Sequence, residues 1–348
     1  MRANLILGLV GAALIAGLAG KPAAGQDGGL SAQGFQAYLP QLRSRALVAG
    51  VSPIVVDQAF RELEYSARTV ELDRAQPGGT GGTSATPAFA PYRARHVSPA
   101  LISGGARRYS ANHSRLGEIG RRFGVTPSIL VAIWGHETSY GAVTGNFDLL
   151  NSLATLAYEG RRRELFAGEF VAALRMIERG VPRSRLRGSW AGATGYPQFL
   201  PSVYLRLAVD ADGDGRPNIW SSEADALASI ANYLRNAGWR PGLGWGFAVS
   251  VPRSLDRTAL RGLLAAPRCP RVHERHSRWL TITEWRRLGI VPHGASWPRD
   301  SELAALIEPD GPGRTAYLLT TNYRSILDYN CSNFYALSVG LLADAVAR

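Results

Sequence analysis

The chain has 348 residues, with 39 Lys+Arg against 27 Asp+Glu and a formal net charge of +12. Hydrophobic residues make up 46% and charged residues 19%, which excludes a disordered or collagen-like chain and allows one large or two closely packed domains. Lys21 is the only lysine, so once a leader is removed no lysine remains for a P-loop, a pyridoxal Schiff base or an aldolase.

Residues 1–25 read as a signal peptide: Arg2 is the charged start, Leu5 to Ala19 an apolar and glycine run, and Ala23-Ala24-Gly25 a small-residue cleavage site. The run is shorter than the roughly 20 residues a membrane span needs. Lys21, not cysteine, follows Leu18-Ala19-Gly20, so the expectation is an exported periplasmic protein rather than a lipoprotein. A basic exported protein suits an anionic wall polymer or membrane surface. The arginines are scattered and no zinc-finger or RNA-binding signature occurs, so no nucleic-acid partner is expected.

Residues 33–74 carry helical periodicity through Phe35, Leu39, Leu42, Ile54, Val55, Ala59 and Leu63. The Gly-rich stretch 76–84 reads as a surface loop. From Tyr92 to Gly238 helices dominate. One starts at Thr126-Pro127 with Gly141 as its stop, and others cover 152–158, 164–179 and 224–237. Short strands are expected at 248–252, 278–281 and 315–320, and a last helix at 332–347. The predicted fold class is mainly α with a small β-containing C-terminal subdomain.

Glu137 sits three positions after Trp134 and four after Ile133, on an apolar helix face and at the helix C-terminus. Desolvation and the helix dipole both raise the pKa of such a carboxyl, which suits a general acid; a core-edge glutamate tied to arginine is the bland alternative. His136-Glu137 lacks the second histidine of a zinc protease, since Tyr140 stands there, and the other histidines show no metal spacing. Asp210, Asp212 and Asp214 with Gly215 and the carbonyl of Arg216 match the first half of an EF-hand loop. Position 12 is Ser221, so a late carboxylate, Asp225 ahead of Glu223, is expected to complete a calcium site. Cys269 and Cys331 fit an oxidising compartment, as one disulfide or as two small buried thiols; with only two thiols on an exported chain, one disulfide is expected. Residues 188–202 combine glycines with Ser189 and Gln198, either a tightly packed turn or a cradle for a bulky ligand. Asn330, between Tyr329 and Tyr335, adds an amide among aromatics, as a sugar site or a core requires.

Five stretches, taken in order, resemble the lytic murein transglycosylases of the membrane-bound transglycosylase B type: Trp134-Gly135-His136-Glu137-Thr138, residues 151–157, residues 188–202, residues 208–220 and Tyr329-Asn330-Cys331-Ser332. The likeness runs from about Phe35 to the C-terminus. It implies a lysozyme-like helical catalytic core at 92–247 carrying the EF-hand-like loop, preceded by a helical segment at 26–91 and followed by the small β-containing subdomain at 248–348. It implies Glu137 as the single catalytic residue, and glycan or peptide contacts from Tyr92, Arg161, Arg162, Ser189, Gln198, Tyr233, Tyr329, Asn330 and Tyr335. The family's calcium loop falls on Asp210, Asp212, Asp214, Arg216 and Asp225. Peptidoglycan strands are the implied partner of a monomer, with cell-wall synthesis or lysis proteins beside them. Pro197 departs from a position often filled by glycine.

Most glycosidases use two carboxylates, about 5–5.5 Å or 6.5–9.5 Å apart. Near Glu137 in sequence only Asp148 offers a second. A single-acid route needs its nucleophile inside the substrate: Glu137 protonates the glycosidic oxygen, then takes the proton of the C6 hydroxyl as a 1,6-anhydro ring closes. A hydrolytic muramidase using Asp148 or Asp225, and a non-catalytic wall-binding scaffold, are the alternatives.

Overall fold

The computed structural model describes residues 29–76, 87–262 and 269–348. The expected leader and most of the Gly-rich loop lie outside the described residues. Among the described residues no helix is long and apolar enough to cross a membrane. The chain is mainly helical with a small C-terminal antiparallel sheet, and it divides into two compact units.

One unit gathers the described parts of Ala12–Thr83 with Gly141–Ala226. The periodicity at its start forms not one helix but three, Ala32–Val48, Pro53–Phe60 and Ala67–Arg74. Ser31 and Ser66 cap the first and third through their side chains, and Pro53 opens the second. The helices Leu149–Glu159 and Arg163–Glu178 pack closely. Leucines and alanines on the first (Leu150, Leu153, Ala157) face Phe166, Phe170 and Leu174 on the second, all nearly inaccessible. A two-stranded ladder pairs Phe147–Asp148 with Arg187–Gly188.

The other unit gathers the described parts of Ser84–Tyr140 with Leu227–Arg348. Its central helix, Pro127–Thr138, is apolar all round and buried over residues 128–135. The helices Asn333–Val346 and Pro99–Ala111 pack against it. Gly141 does not stop this helix. It ends at Thr138, because Ser139 and Tyr140 both take left-handed backbone (φ 49° and 62°) despite their side chains. Packing explains the choice. The Tyr140 ring fills a slot that a Cβ on Gly135 or Gly105 would enter at 2.5 Å or less, and its hydroxyl donates to the Leu101 carbonyl at 2.7 Å. Trp134 meets the ring edge-on at 5.7 Å, with the Arg108 guanidinium 4.8 Å above it.

The sheet is antiparallel, ordered Leu280–Thr281, Leu303–Ile307, Ala316–Thr320, Gly246–Ser250, Val291–Pro292. The three expected strands are present, and Leu303–Ile307 and Val291–Pro292 are additional. The central strand Ala316–Thr320 is wholly buried, and Trp285 donates from its indole to the Ala304 carbonyl at 3.0 Å beneath the sheet. Cys269 and Cys331 form a disulfide with Cα atoms 5.4 Å apart. Two residues on, Asn333 donates to the Val272 carbonyl and accepts from His276 and Tyr323, so the start of the last helix is tied to the disulfide-bearing loop.

The bridge closes a loop with a sequence separation of 62. Replacing both cysteines by serine is expected to lower unfolding free energy by about 2–4 kcal/mol, read from guanidinium denaturation; an unchanged midpoint would contradict this.

Candidate active site

Glu137 is the penultimate residue of the helix Pro127–Thr138 and is half-buried. Ile133 and Trp134, one turn back, are inaccessible, so the carboxyl leaves the helix along an apolar face. Burial pushes its pKa from 4.5 up to about 8. The helix dipole acts in the same direction. Tyr335 opposes both, its hydroxyl donating to Glu137 Oε1 at 2.6 Å. That tyrosine is 1% exposed and belongs to the first turn of Asn333–Val346, where Ser332 Oγ accepts from its backbone N–H.

Aromatic rings line up beside this pair. Tyr92 and His96, one turn apart on the helix Phe89–His96, stack at 3.9 Å. His96 stacks on His136 at 4.8 Å and 13°, and His136 meets Tyr335 edge-on at 4.5 Å. His96 Nδ1 donates to the Tyr92 carbonyl at 2.8 Å. His136 Nε2 is buried without a hydrogen-bond partner. Burial lowers both imidazoles, His136 to about 3; His96 adds to the shift of His136, and Arg95 to that of His96. Neutral rings therefore place no cation beside Glu137 that would draw off its proton. Burial first, and the Glu137 charge second, raise Tyr92 to about 12 and push up Tyr329 and Tyr335. Tyr329 packs at 4.6 Å on Tyr233, whose hydroxyl donates to the Asp328 carbonyl at 2.7 Å.

The structure thus gathers Glu137, Tyr92, Tyr233, Tyr329 and Tyr335 in one unit. Asn330, 6% exposed, closes the helix Thr321–Tyr329 just before the disulfide. His96 and His136 stand here as stacked rings rather than as metal ligands. The four-residue interval from Tyr92 to His96, and the adjacency of His136 to Glu137, are the signals that place them here.

Ser189 and Gln198 lie in the other unit. Ser189 exchanges two hydrogen bonds with the Ala193 backbone (2.8 and 3.0 Å). A Cβ on Gly188 would fall 1.9 Å from the Ala193 carbonyl, which fixes glycine there. Gln198 is held at φ 49°, and its amide nitrogen donates to the Thr144 and Gly195 carbonyls, leaving the amide oxygen for a ligand. Pro197 is accommodated in this closed turn, as Gln198 N donates to the Gly195 carbonyl at 3.1 Å. Arg161 and Arg162 both grip Asp73, which is 1% exposed, and Arg161 pairs with Glu159 as well. Both arginines thus neutralise a buried carboxylate, and the Arg161 side chain keeps 43% of its surface exposed.

Both candidates for a second carboxylate are committed elsewhere. Asp148 caps the helix Leu149–Glu159 and pairs with Arg183 at 2.8 Å. Asp225 is fully buried and accepts from the backbone N–H groups of Ala211, Asp212 and Asn218.

Asp210, Asp212 and Asp214 bring carboxylate oxygens within 4.8 Å of one another. Gly213 and Gly215 (φ 79° and 94°) fold the loop, and both donate to Asp210. Three hard oxygen donors around a Gly-formed turn fit calcium. Asp225, expected to complete the set, is tied to the same loop through the Ala211, Asp212 and Asn218 N–H groups.

A carboxyl whose neutral form is favoured by burial, with tyrosines beside it, is the arrangement that general acid catalysis requires. The chain matches the Transglycosylase SLT domain family over residues 34–344 and belongs to that family. It is 32% identical over 296 residues to membrane-bound lytic murein transglycosylase B of Escherichia coli (84% of this chain, 74% of that protein). Its structure is similar to SltB3 of Pseudomonas aeruginosa in complex with NAG-NAM-pentapeptide (TM-score 0.80, 38% identity, 90% of this chain and 79% of that one). SltB3 is also known in complex with NAG-anhNAM-pentapeptide. The Escherichia coli lytic transglycosylase Slt35 in complex with calcium matches at TM-score 0.70 and 27% identity, over 90% of this chain and 92% of that one.

Two outcomes follow from this geometry. Tyr335→Phe removes a bond that favours the ionised carboxylate, so the pKa of Glu137 should rise. The Glu137 carboxyl, pushed up to about 8 with Tyr335 in place, should titrate higher by about one to two units in the variant, since a hydrogen bond to a charged group is worth about 1.5–3 kcal/mol. A carboxyl titration, read by carbon-13 NMR, that stays or moves down would contradict the Tyr335 contact. Separately, calcium at 100 times its dissociation constant should add about 2.7 kcal/mol of stability. That gain should vanish in Asp210→Ala/Asp214→Ala, measured by thermal melts across a calcium titration.

Proposed function

We propose that this chain is a peptidoglycan lytic transglycosylase that cleaves the bond between N-acetylmuramic acid and N-acetylglucosamine, with Glu137 acting alone as acid and then base. The observation that carries the reading is the proton affinity of Glu137, set by burial and by one tyrosine, with no carboxylate partner among the described residues. At neutral pH the carboxyl holds its proton and donates it to the glycosidic oxygen as the C1–O bond breaks. The positive charge left at C1 is stabilised by the muramic N-acetyl group. Glu137, now ionised and stabilised by the Tyr335 hydroxyl, removes the proton of the C6 hydroxyl. O6 then bonds to C1, and the 1,6-anhydro ring leaves Glu137 protonated for the next turn. An internal nucleophile has a large proximity advantage, so no water needs a second carboxylate.

Tyr92, Tyr233, Tyr329, Asn330 and Tyr335 are assigned to the sugars beside Glu137, and Ser189, Gln198, Arg161 and Arg162 to glycan or peptide contacts. The SltB3 complexes support this substrate class. Asp210, Asp212, Asp214, the Arg216 carbonyl and Asp225 are assigned to calcium, which rigidifies its loop and takes no part in bond cleavage; the Slt35 complex and the acidic cluster support it. The leader reading places the protein in the periplasm.

Glu137→Gln keeps size and hydrogen bonding but cannot transfer a proton. It should bind sacculi, melt normally and lose about 10²–10⁴-fold in released fragments. Mass spectra of wild-type digests should show muropeptides ending in 1,6-anhydro-N-acetylmuramic acid. Reducing ends would instead mean a muramidase, and full activity of the variant would remove Glu137 from the chemistry.

A further inference from the structure

A concavity lies within the unit that holds the acidic loop. It is a cleft of about 480 Å³, lined by Val181, Tyr204 and Trp220 among others. Arg179, Arg185 and Arg216 stand around it. Each uses one guanidinium nitrogen on neutral oxygens. Arg179 donates to the Leu205 carbonyl (3.3 Å), Arg185 to Asn218 Oδ1 and Ser221 Oγ (3.2 and 3.0 Å), and Arg216 to the Gly180 carbonyl (3.5 Å). None of the three makes an ion pair among the described residues, whereas Arg183, between two of them in sequence, pairs with Asp148. The carboxylate in the lining, Asp214, accepts from the Arg216 backbone and belongs to the acidic cluster.

The aromatic wall is equally specific. The Tyr204 hydroxyl is spent on the Pro217 carbonyl (2.7 Å) and the Trp220 indole N–H on Thr194 Oγ1 (2.7 Å). The two rings, 5.3 Å apart, therefore have no polar tip left to offer a ligand in the cleft. A ligand fitting this cleft carries a compact planar anion for the guanidinium forks and a small apolar group for the rings.

We propose that this cleft binds the terminal carboxylate of a peptidoglycan stem peptide, with the adjoining methyl-bearing residue on Tyr204 and Trp220. The proposal rests on the reading of the wall as substrate. It supplies a peptide anchor separate from the residues assigned to the glycan.

Calorimetric titration of the full chain, at fixed calcium, with N-acetyl-D-alanyl-D-alanine and with its C-terminal amide tests it. The acid should bind at least tenfold more tightly than the amide. Arg179→Gln/Arg185→Gln should lose at least tenfold in acid binding with an unchanged melting temperature. Glu137→Gln should bind the acid as the wild type does, so failure of the acid–base reading leaves this test intact. Equal binding of acid and amide by the wild type, or no binding of either, would overturn the proposal without recourse to any variant. So would inorganic phosphate competing as well as the peptide, which would make the cleft a general anion site.

Discussion

The seating of Tyr140 is the constraint on which the candidate active site depends. A helix carrying an acid at its last turn must end at a defined residue, or the carboxyl swings with the fraying end. Here the end is fixed by a side chain rather than by a glycine. Tyr140 turns back into the slot left by Gly104, Gly105 and Gly135, and two successive residues accept left-handed backbone to let it do so. Local strain of about 1–3 kcal/mol per such residue is sustained because the ring's burial and its bond to Leu101 over-determine the turn. Glu137, three residues upstream, inherits that rigidity.

The electrostatics follow from the same burial. A carboxyl on an apolar face and at a helix C-terminus favours its neutral form, and a lone hydrogen-bond donor tempers this without cancelling it. The histidines beside it extend the logic. An imidazolium at that distance would favour the carboxylate, and desolvation removes that influence by keeping the rings uncharged. The tyrosines supply hydrogen-bonding hydroxyls with no charge near neutrality. Neutral neighbours thus let this carboxyl hold its proton near neutrality.

Much of this was legible in the sequence because it depends on local intervals. The placement of Glu137 relative to Ile133 and Trp134, the strands flanking Tyr317, and the oxygens at alternate positions of the acidic loop all follow from helix, strand or loop periods. What escaped depends on distant partners. The Leu303–Ile307 strand follows a Pro- and charge-rich stretch, and only its ladder with the buried Ala316–Thr320 strand defines it. The helix ends before the glycine because glycine is only the local signal for left-handed backbone, whereas Tyr140 is held by Leu101, Gly105 and Arg108, more than 30 positions away, as well as by Gly135. Charge and spacing single out Asp225, whereas its hydrogen bonds to the Ala211, Asp212 and Asn218 amides depend on the folded loop. Arg161 and Arg162 gave no hint that Asp73 lay between them.

Among the described residues every cation of the Lys/Arg type is an arginine, Lys21 lying outside them, and this bears on how the protein meets a charged matrix. A guanidinium keeps its charge across any pH a cell wall experiences, and amine-directed acylation cannot remove it. Adhesion to an acidic polymer mesh is then tuned from the polymer's side, by its own protonation and by counter-ion concentration. The protein arrives with a fixed positive charge density. How long it dwells on the mesh becomes a property of the mesh's local acidity and salinity.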